Sequence, residues 1–123
     1  MLYICIAIAG TLGAISRWAL SALIGKSMSG FDTGTFVVNV IGSFVLGLVI
    51  GAYSLFPDLL AQAILIGFCG GLTTFSTFAL SAATALEAGK FGVFGKETAL
   101  NTVLCIFLVW LGMTTGGALC NLI

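Results

Sequence analysis

Four apolar stretches, each long enough to cross the hydrocarbon core of a bilayer, follow one another with only short polar breaks between them. They run from about Leu2 to Ile24, Thr35 to Leu55, Leu59 to Leu86 and Thr98 to Leu122. A spanning helix needs about 20 mainly apolar residues. In lipid every backbone N–H and C=O must be paired inside the protein, which restricts spanning structures to helices and closed barrels. These stretches are continuous rather than alternating, so helices are expected. Only 7% of the residues are charged and the mean hydropathy is +1.26, which leaves too little polar surface for a water-facing exterior. The expected fold is an all-α membrane protein, with residues 1–123 forming a single four-helix transmembrane domain.

The breaks carry turn chemistry. The first, Gly25-Lys26-Ser27-Met28-Ser29-Gly30, leads to Asp32 and Thr33, residues that favour turns and helix N-caps. The second, Phe56-Pro57-Asp58, holds the only proline. The third is expected from Glu87 to Glu97, with Gly89, Lys90, Gly92, Gly95 and Lys96. No basic residue precedes Leu2 and three more apolar segments follow, so the first stretch reads as a retained helix rather than a signal peptide.

Several functions are excluded by what is missing. The net charge is zero and no basic run occurs, so nucleic acid has no electrostatic footing. There is no histidine, the commonest metal ligand and general base. Cys5, Cys69, Cys105 and Cys120 form no CxxC pair, lie within apolar stretches and read as small buried hydrophobes. No GxxxxGK[ST] loop and no nucleophile–base pair is visible, which argues against an ATPase or any enzyme. Asp32, Asp58, Glu87 and Glu97 are all expected in or beside connections. On that reading no carboxylate sits mid-membrane to carry protons or to bind the substrates of a small cation exporter.

The third stretch has the most unusual local sequence, Gly67-Phe68-Cys69-Gly70-Gly71-Leu72-Thr73-Thr74-Phe75-Ser76-Thr77-Phe78. Two adjacent glycines weaken a helix by about 1 kcal/mol each relative to alanine. Hydroxyls follow at Thr73, Thr74, Ser76 and Thr77. Two structures fit this pattern. One is a break near the midplane, presenting carbonyls that suit cations and N–H groups that suit anions. The other is a glycine-rich packing kink with hydroxyls bonded to their own helix. Phe75 and Phe78, three apart, share a face, and aromatic ring edges carry the positive end of the quadrupole.

Elsewhere, Asn39, Ser43, Gly47 and Gly51 recur every four residues, and Gly112 and Gly116 form a second GxxxG step. The stripe containing Asn39 faces protein or water, as helix-packing glue or as a pore lining, because a bare amide is costly in hydrocarbon. Arg17 is the one basic residue well inside an expected helix. It either snorkels to the interface or lines an aqueous vestibule.

These residues resemble the CrcB/Fluc fluoride channels over essentially the full length. The resemblance is carried by Gly10-Thr11-Leu12-Gly13-Ala14-Ile15-Ser16-Arg17-Trp18, by Gly34 to Phe44, and most specifically by GFCGGLTTFSTF from Gly67 to Phe78. It implies passive export of fluoride across the inner (plasma) membrane by an antiparallel, dual-topology dimer with a broken third helix. Two pores would follow the subunit interface, and a structural Na+ would sit at its centre. It further implies that Phe75 and Phe78 are the pore-lining aromatic pair and Asn39 the pore asparagine. Thr74, Ser76 and Thr77 would be polar neighbours and Arg17 the vestibule arginine. The Gly70 and Thr73 carbonyls would be ligands to sodium. In the fourth helix, Asn101, Thr102 and Cys105 are candidates for a polar track that relatives build from hydroxyls.

Lys26, Lys90 and Lys96 are expected on one side of the membrane with Arg17 toward it, and the terminal side has no Lys or Arg. Basic residues set orientation. The subunit therefore either inserts both ways as a homodimer or pairs with an oppositely biased paralogue.

Overall fold

The computed structural model describes residues 1–25 and 30–122. Helix α1 spans Leu2–Ile24 and α2 spans Thr33–Gly51. The third span is assembled from pieces: α3 (Asp58–Gln62), a π-helical stretch (Ala63–Cys69), α4 (Gly70–Leu72) and, beyond Thr73 and Thr74, α5 (Phe75–Glu87). Helix α6 runs from Phe91 to Leu122. Among the described residues there is no strand. The four spans are each long and apolar enough to cross a membrane, as in a multi-pass membrane protein.

Local signals explain the ends. Asp32 caps α2, its side chain accepting the Thr35 N–H at 2.9 Å. Pro57 immediately precedes α3 with φ −57°, the dihedral a proline ring already holds. Gly89 closes α5 with φ +70°; its N–H bonds the Leu86 carbonyl while Lys90 N–H bonds the Ala85 carbonyl. This is a Schellman ending, which glycine adopts without a Cβ penalty.

The third connection is shorter than hydropathy suggests. Only Ala88–Lys90 separates α5 from α6, so most of the polar Glu87–Glu97 stretch is helical. Hydropathy marks where lipid begins, whereas capping residues mark where a helix begins. At about 1.5 Å per residue the 32 residues of α6 cover about 48 Å, well beyond a hydrocarbon core of about 30 Å. Its first turns can therefore be polar without ceasing to be helix. Lys26, expected in the first turn, lies outside the described residues.

The interior is held by backbone contact more than by large side chains. Helices α2 and α6 interlock reciprocally. A β-carbon on Gly47 or Gly51 would strike the carbonyls of Val109 or Met113, and one on Gly112 or Gly116 would strike Phe44 or Leu48. Helix α1 meets the third span in the same way, with Gly13 against the Phe68 carbonyl and Gly71 against the Gly10 carbonyl. Lipid tails are as apolar as leucine, so burial alone does not join helices in a membrane; close packing does. Large apolar side chains such as Ile4, Ile8, Leu12 and Ile15 on α1 are left exposed on the outside of the chain.

Gly70 and Gly71 therefore do not break the third span: α4 passes through both, and Gly71 admits α1 instead. The discontinuity falls at Thr73 and Thr74, whose backbones are extended.

Alanine at Gly112 would press its methyl into α2, whereas Gly117, five residues on, has open space at that position. Gly112→Ala is expected to destabilise the fold by about 1–3 kcal/mol through overpacking. Gly117→Ala is expected to be neutral or to gain up to about 1 kcal/mol of helix propensity. Unfolding midpoints in detergent measure both; equal midpoints would show that the α2–α6 seam is not close-packed.

Candidate functional site

The break in the third span is held open by one side chain. Asn39, on α2 and only 6% exposed, faces the peptide groups of Thr74. Its Oδ1 accepts the Thr74 N–H at 2.8 Å and its Nδ2 donates to the Thr74 carbonyl at 3.0 Å. An amide side chain thus replaces the next turn of helix, giving a buried peptide group the partners it requires. Gly42, one turn further along α2, leaves room for the Thr73 methyl.

Freed groups gather around this clamp. The Thr74 hydroxyl caps α5 by accepting the Thr77 N–H at 3.3 Å and lies 3.2 Å from the hydroxyls of both Ser76 and Thr77. Ser76 and Thr77 are exposed. The opening of α5 therefore combines helical N–H groups with a cluster of rotatable O–H donors, an arrangement that suits an anion. Phe75 and Phe78 start the same helix, edge to face with centroids 5.7 Å apart and planes at 62°. Phe78 is 9% exposed and Phe75 is 78% exposed, so the pair runs from the interior to the outer surface of the chain.

Arg17 turns toward the break. Its Nη1 donates to the Thr73 carbonyl at 3.3 Å, bringing its charge from α1 to the break. It borders a cleft of about 460 Å3 that extends from Gly25 and Asp32 inward to Thr74 and Thr77. A second cleft of about 330 Å3 lies on the other side of Thr74, walled by Asn39, Ser43, Gly70, Thr73, Phe75 and Asn101. Thr74 borders both. The stripe on α2 is thus divided in role: Gly47 and Gly51 pack, while Asn39 and Ser43 face the site.

The carbonyls implied as sodium ligands differ in their fit. With the Thr74 N–H turned to Asn39, the Gly70 carbonyl loses its helical donor, and Gly70 is exposed beside Phe75. A free backbone carbonyl at the end of a half-helix is a donor that sodium accepts. The Thr73 carbonyl already receives the Arg17 guanidinium. It fits a second cation only with that side chain turned aside.

One expectation, the placement of Glu97, is revised by these positions. Asn39 reaches the cleft wall, but both of its N–H groups are engaged, one by Thr74 and the other by Asn101 Oδ1 at 3.4 Å. Glu97 lies inside α6 rather than in a connection. It is 2% exposed, with Oε1 accepting the Asp32 N–H at 3.3 Å, and its Oε2 has no partner among the described residues. A buried carboxyl group therefore sits in the first turns of α6, one helical turn before Asn101. Hydropathy hid it, because the flanking Lys96 and Gly95 made the segment read as a loop. Asn101 and Cys105 line the second cleft; Thr102 is exposed and lies outside it.

Residues 4–113 match the family model described as CrcB-like protein, Camphor Resistance (CrcB). A protein of Vibrio campbellii named fluoride-specific ion channel FluC is 41% identical over 111 residues, covering 87% of each chain. Proteins of the same name from Nitratidesulfovibrio vulgaris and Geobacter metallireducens are each 37% identical, the first over 92% of this chain and 94% of its own, the second over 91% and 94%.

Asn39→Leu keeps the side-chain volume but strands the Thr74 N–H in a dry interior. A loss of at least about 1–3 kcal/mol is expected for that orphaned group. It should appear as a lower unfolding midpoint in detergent, and an unchanged midpoint would remove Asn39 as the support of the break.

Proposed function

Because the chain belongs to the CrcB-like family, whose matched relatives are named fluoride-specific channels, we propose that it is a fluoride-selective channel that lets the ion cross the plasma membrane passively. The observation that carries this reading is the opening of α5. There a helix N-terminus, three hydroxyl groups and an aromatic pair meet beside a cleft that holds a guanidinium group.

The physical task is dehydration. Fluoride is small and holds its water strongly, so a selective path must supply dense hydrogen-bond donation as water is removed. The Arg17 charge raises the anion concentration in the outer cleft. Thr74 and Thr77 at its inner end offer O–H donors, reinforced by the partial positive charge at the start of α5. Beyond them the ring edges of Phe78 and then Phe75 offer weakly positive C–H groups that need no solvation of their own. A larger halide would fit this narrow set of donors less well.

Phe75 at 78% exposure is a large aromatic that a channel wall needs covered. The cover we propose is a second subunit in antiparallel orientation, giving two permeation paths along the interface. The exposed Gly70 carbonyls of both subunits would then come together to hold a structural sodium ion, with Thr73 joining only if Arg17 releases it. That ion would supply positive charge binding the two broken helices together, and no step of permeation passes through it.

The reading is tested with purified protein in liposomes loaded with potassium fluoride or potassium chloride, with efflux started by valinomycin. Fast fluoride release with little chloride release is expected. Phe75→Ile and Phe78→Ile are each expected to slow fluoride release by about tenfold or more, the order of one lost interaction of about 1.4 kcal/mol. Unaltered rates in both would reduce the aromatic pair to packing.

Lys90 in the α5–α6 turn and Lys96 at the start of α6 keep the basic bias on one end of the bundle. A reporter fused at the C-terminus distinguishes the two assemblies. Comparable signal from both sides of the membrane is expected for a homodimer; signal from one side alone would point to an oppositely biased paralogue.

A further inference from the structure

We infer that Arg17 is a built-in cation that occupies the Thr73 carbonyl in the single subunit and yields it when the subunits pair around sodium, turning into the outer cleft where its charge draws anions. This inference rests on the sodium-bridged dimer proposed above.

The Thr73 carbonyl is an acceptor that the break itself creates. In an unbroken helix it would take the Thr77 N–H, four residues on. That N–H goes instead to the Thr74 hydroxyl at 3.3 Å. A carbonyl released inside a membrane bundle requires another donor. Arg17 Nη1 supplies it from α1 at 3.3 Å.

The contact is built to exchange. At 3.3 Å it is longer than the common N–H···O range. A guanidinium offers five N–H donors in a fork, and among the described residues only this one hydrogen bond uses them. Arg17 is half-buried and borders the cleft of about 460 Å3, so the side chain has room to turn. Asp32 stands in the wall of the same cleft, with the Thr74 and Thr77 hydroxyls at its inner end. The Asp32 carboxylate caps α2 through Oδ1 and supplies the opposite charge toward which a released guanidinium turns.

Two cations do not share the Thr73 oxygen at close quarters, because like charges repel strongly where water is excluded. Of the two carbonyls that have lost their helical donors, Arg17 bonds Thr73 alone; the Gly70 carbonyl lies toward the other cleft. Sodium held by both carbonyls of both subunits therefore has more oxygens than the guanidinium finds, and Arg17 is the cation displaced. Its charge then stands in the outer cleft, on the route of an arriving anion. Pairing of the subunits and charging of the entrance become one event.

Arg17 is the only arginine in the chain, so an arginine-specific reagent reports on it alone. Purified protein in detergent is treated with phenylglyoxal in sodium chloride or in N-methylglucamine chloride at equal ionic strength. Adducts are counted by intact mass, with Arg17→Lys as the blank. Labelling at least about threefold faster in sodium is expected, following the share of Arg17 released. Mere tightening of the fold by sodium would slow the reagent instead. The unfolding midpoint is also expected to rise with sodium by linkage. Arg17→Met keeps an apolar stem without charge or donor. It should reach half of that rise at a sodium concentration at least about threefold lower than wild type. If Arg17→Met does not fold, the labelling rates decide. Labelling no faster in sodium, or the same sodium dependence in wild type and Arg17→Met, would overturn the inference and leave the sodium site standing. A midpoint indifferent to sodium in wild type would sink the sodium reading, and this inference with it.

Discussion

A hydrogen-bonded pair between the Asn39 amide and the Thr74 peptide decides the shape of the third span. Hydrocarbon offers no partner to a backbone group released from a helix, so a break can exist only where another part of the protein supplies one. Asn39 supplies both an acceptor and a donor at 2.8 and 3.0 Å. The helix can then stop at Leu72 and restart at Phe75 in the middle of the bundle. The Gly70 carbonyl is released, the Thr74 hydroxyl becomes a cap, and the start of α5 is presented to a cleft instead of being buried within a continuous rod.

The same economy governs the rest of the bundle. With few large side chains fully enclosed, the helices approach until their backbones touch, and glycine is the residue that permits this. The α2–α6 seam through Gly47, Gly51, Gly112 and Gly116 holds Asn39 and Asn101 on facing helices at hydrogen-bond distance. The α1 seam through Gly10, Gly13, Gly67 and Gly71 brings Arg17 to the Thr73 carbonyl. Packing and polar placement are therefore one construction. Glycine seams set the helix spacing, and that spacing sets which polar groups meet.

Much of this was legible beforehand because membrane solvation acts on long, regular segments. The four spans, the Asp32 cap and the start of the third span after Pro57 follow from local composition. So does the concentration of hydroxyls after Gly71. The start of α6 was not legible: polar residues near Lys96 signal the edge of lipid, and nothing in hydropathy distinguishes a protruding helix from a loop. Glu97 was misplaced for the same reason, and its burial depends on Asp32, sixty-five positions earlier. The glycine pair misled as well. In isolation Gly70 and Gly71 weaken a helix, whereas in the bundle Gly71 is the surface on which α1 rests.

What the amino-acid order determined by itself is a chain of four membrane-crossing helices with a weak, hydroxyl-rich centre in the third, because hydrophobic length and backbone propensity are properties of contiguous residues. What only the tertiary structure decided is where that weakness opens. Thr73 and Thr74 break because Asn39 arrives from another helix and supplies the partners of the Thr74 peptide groups. Hydrogen bonds between distant segments have direction and a limited number of partners, and neither property is written in any one stretch of sequence.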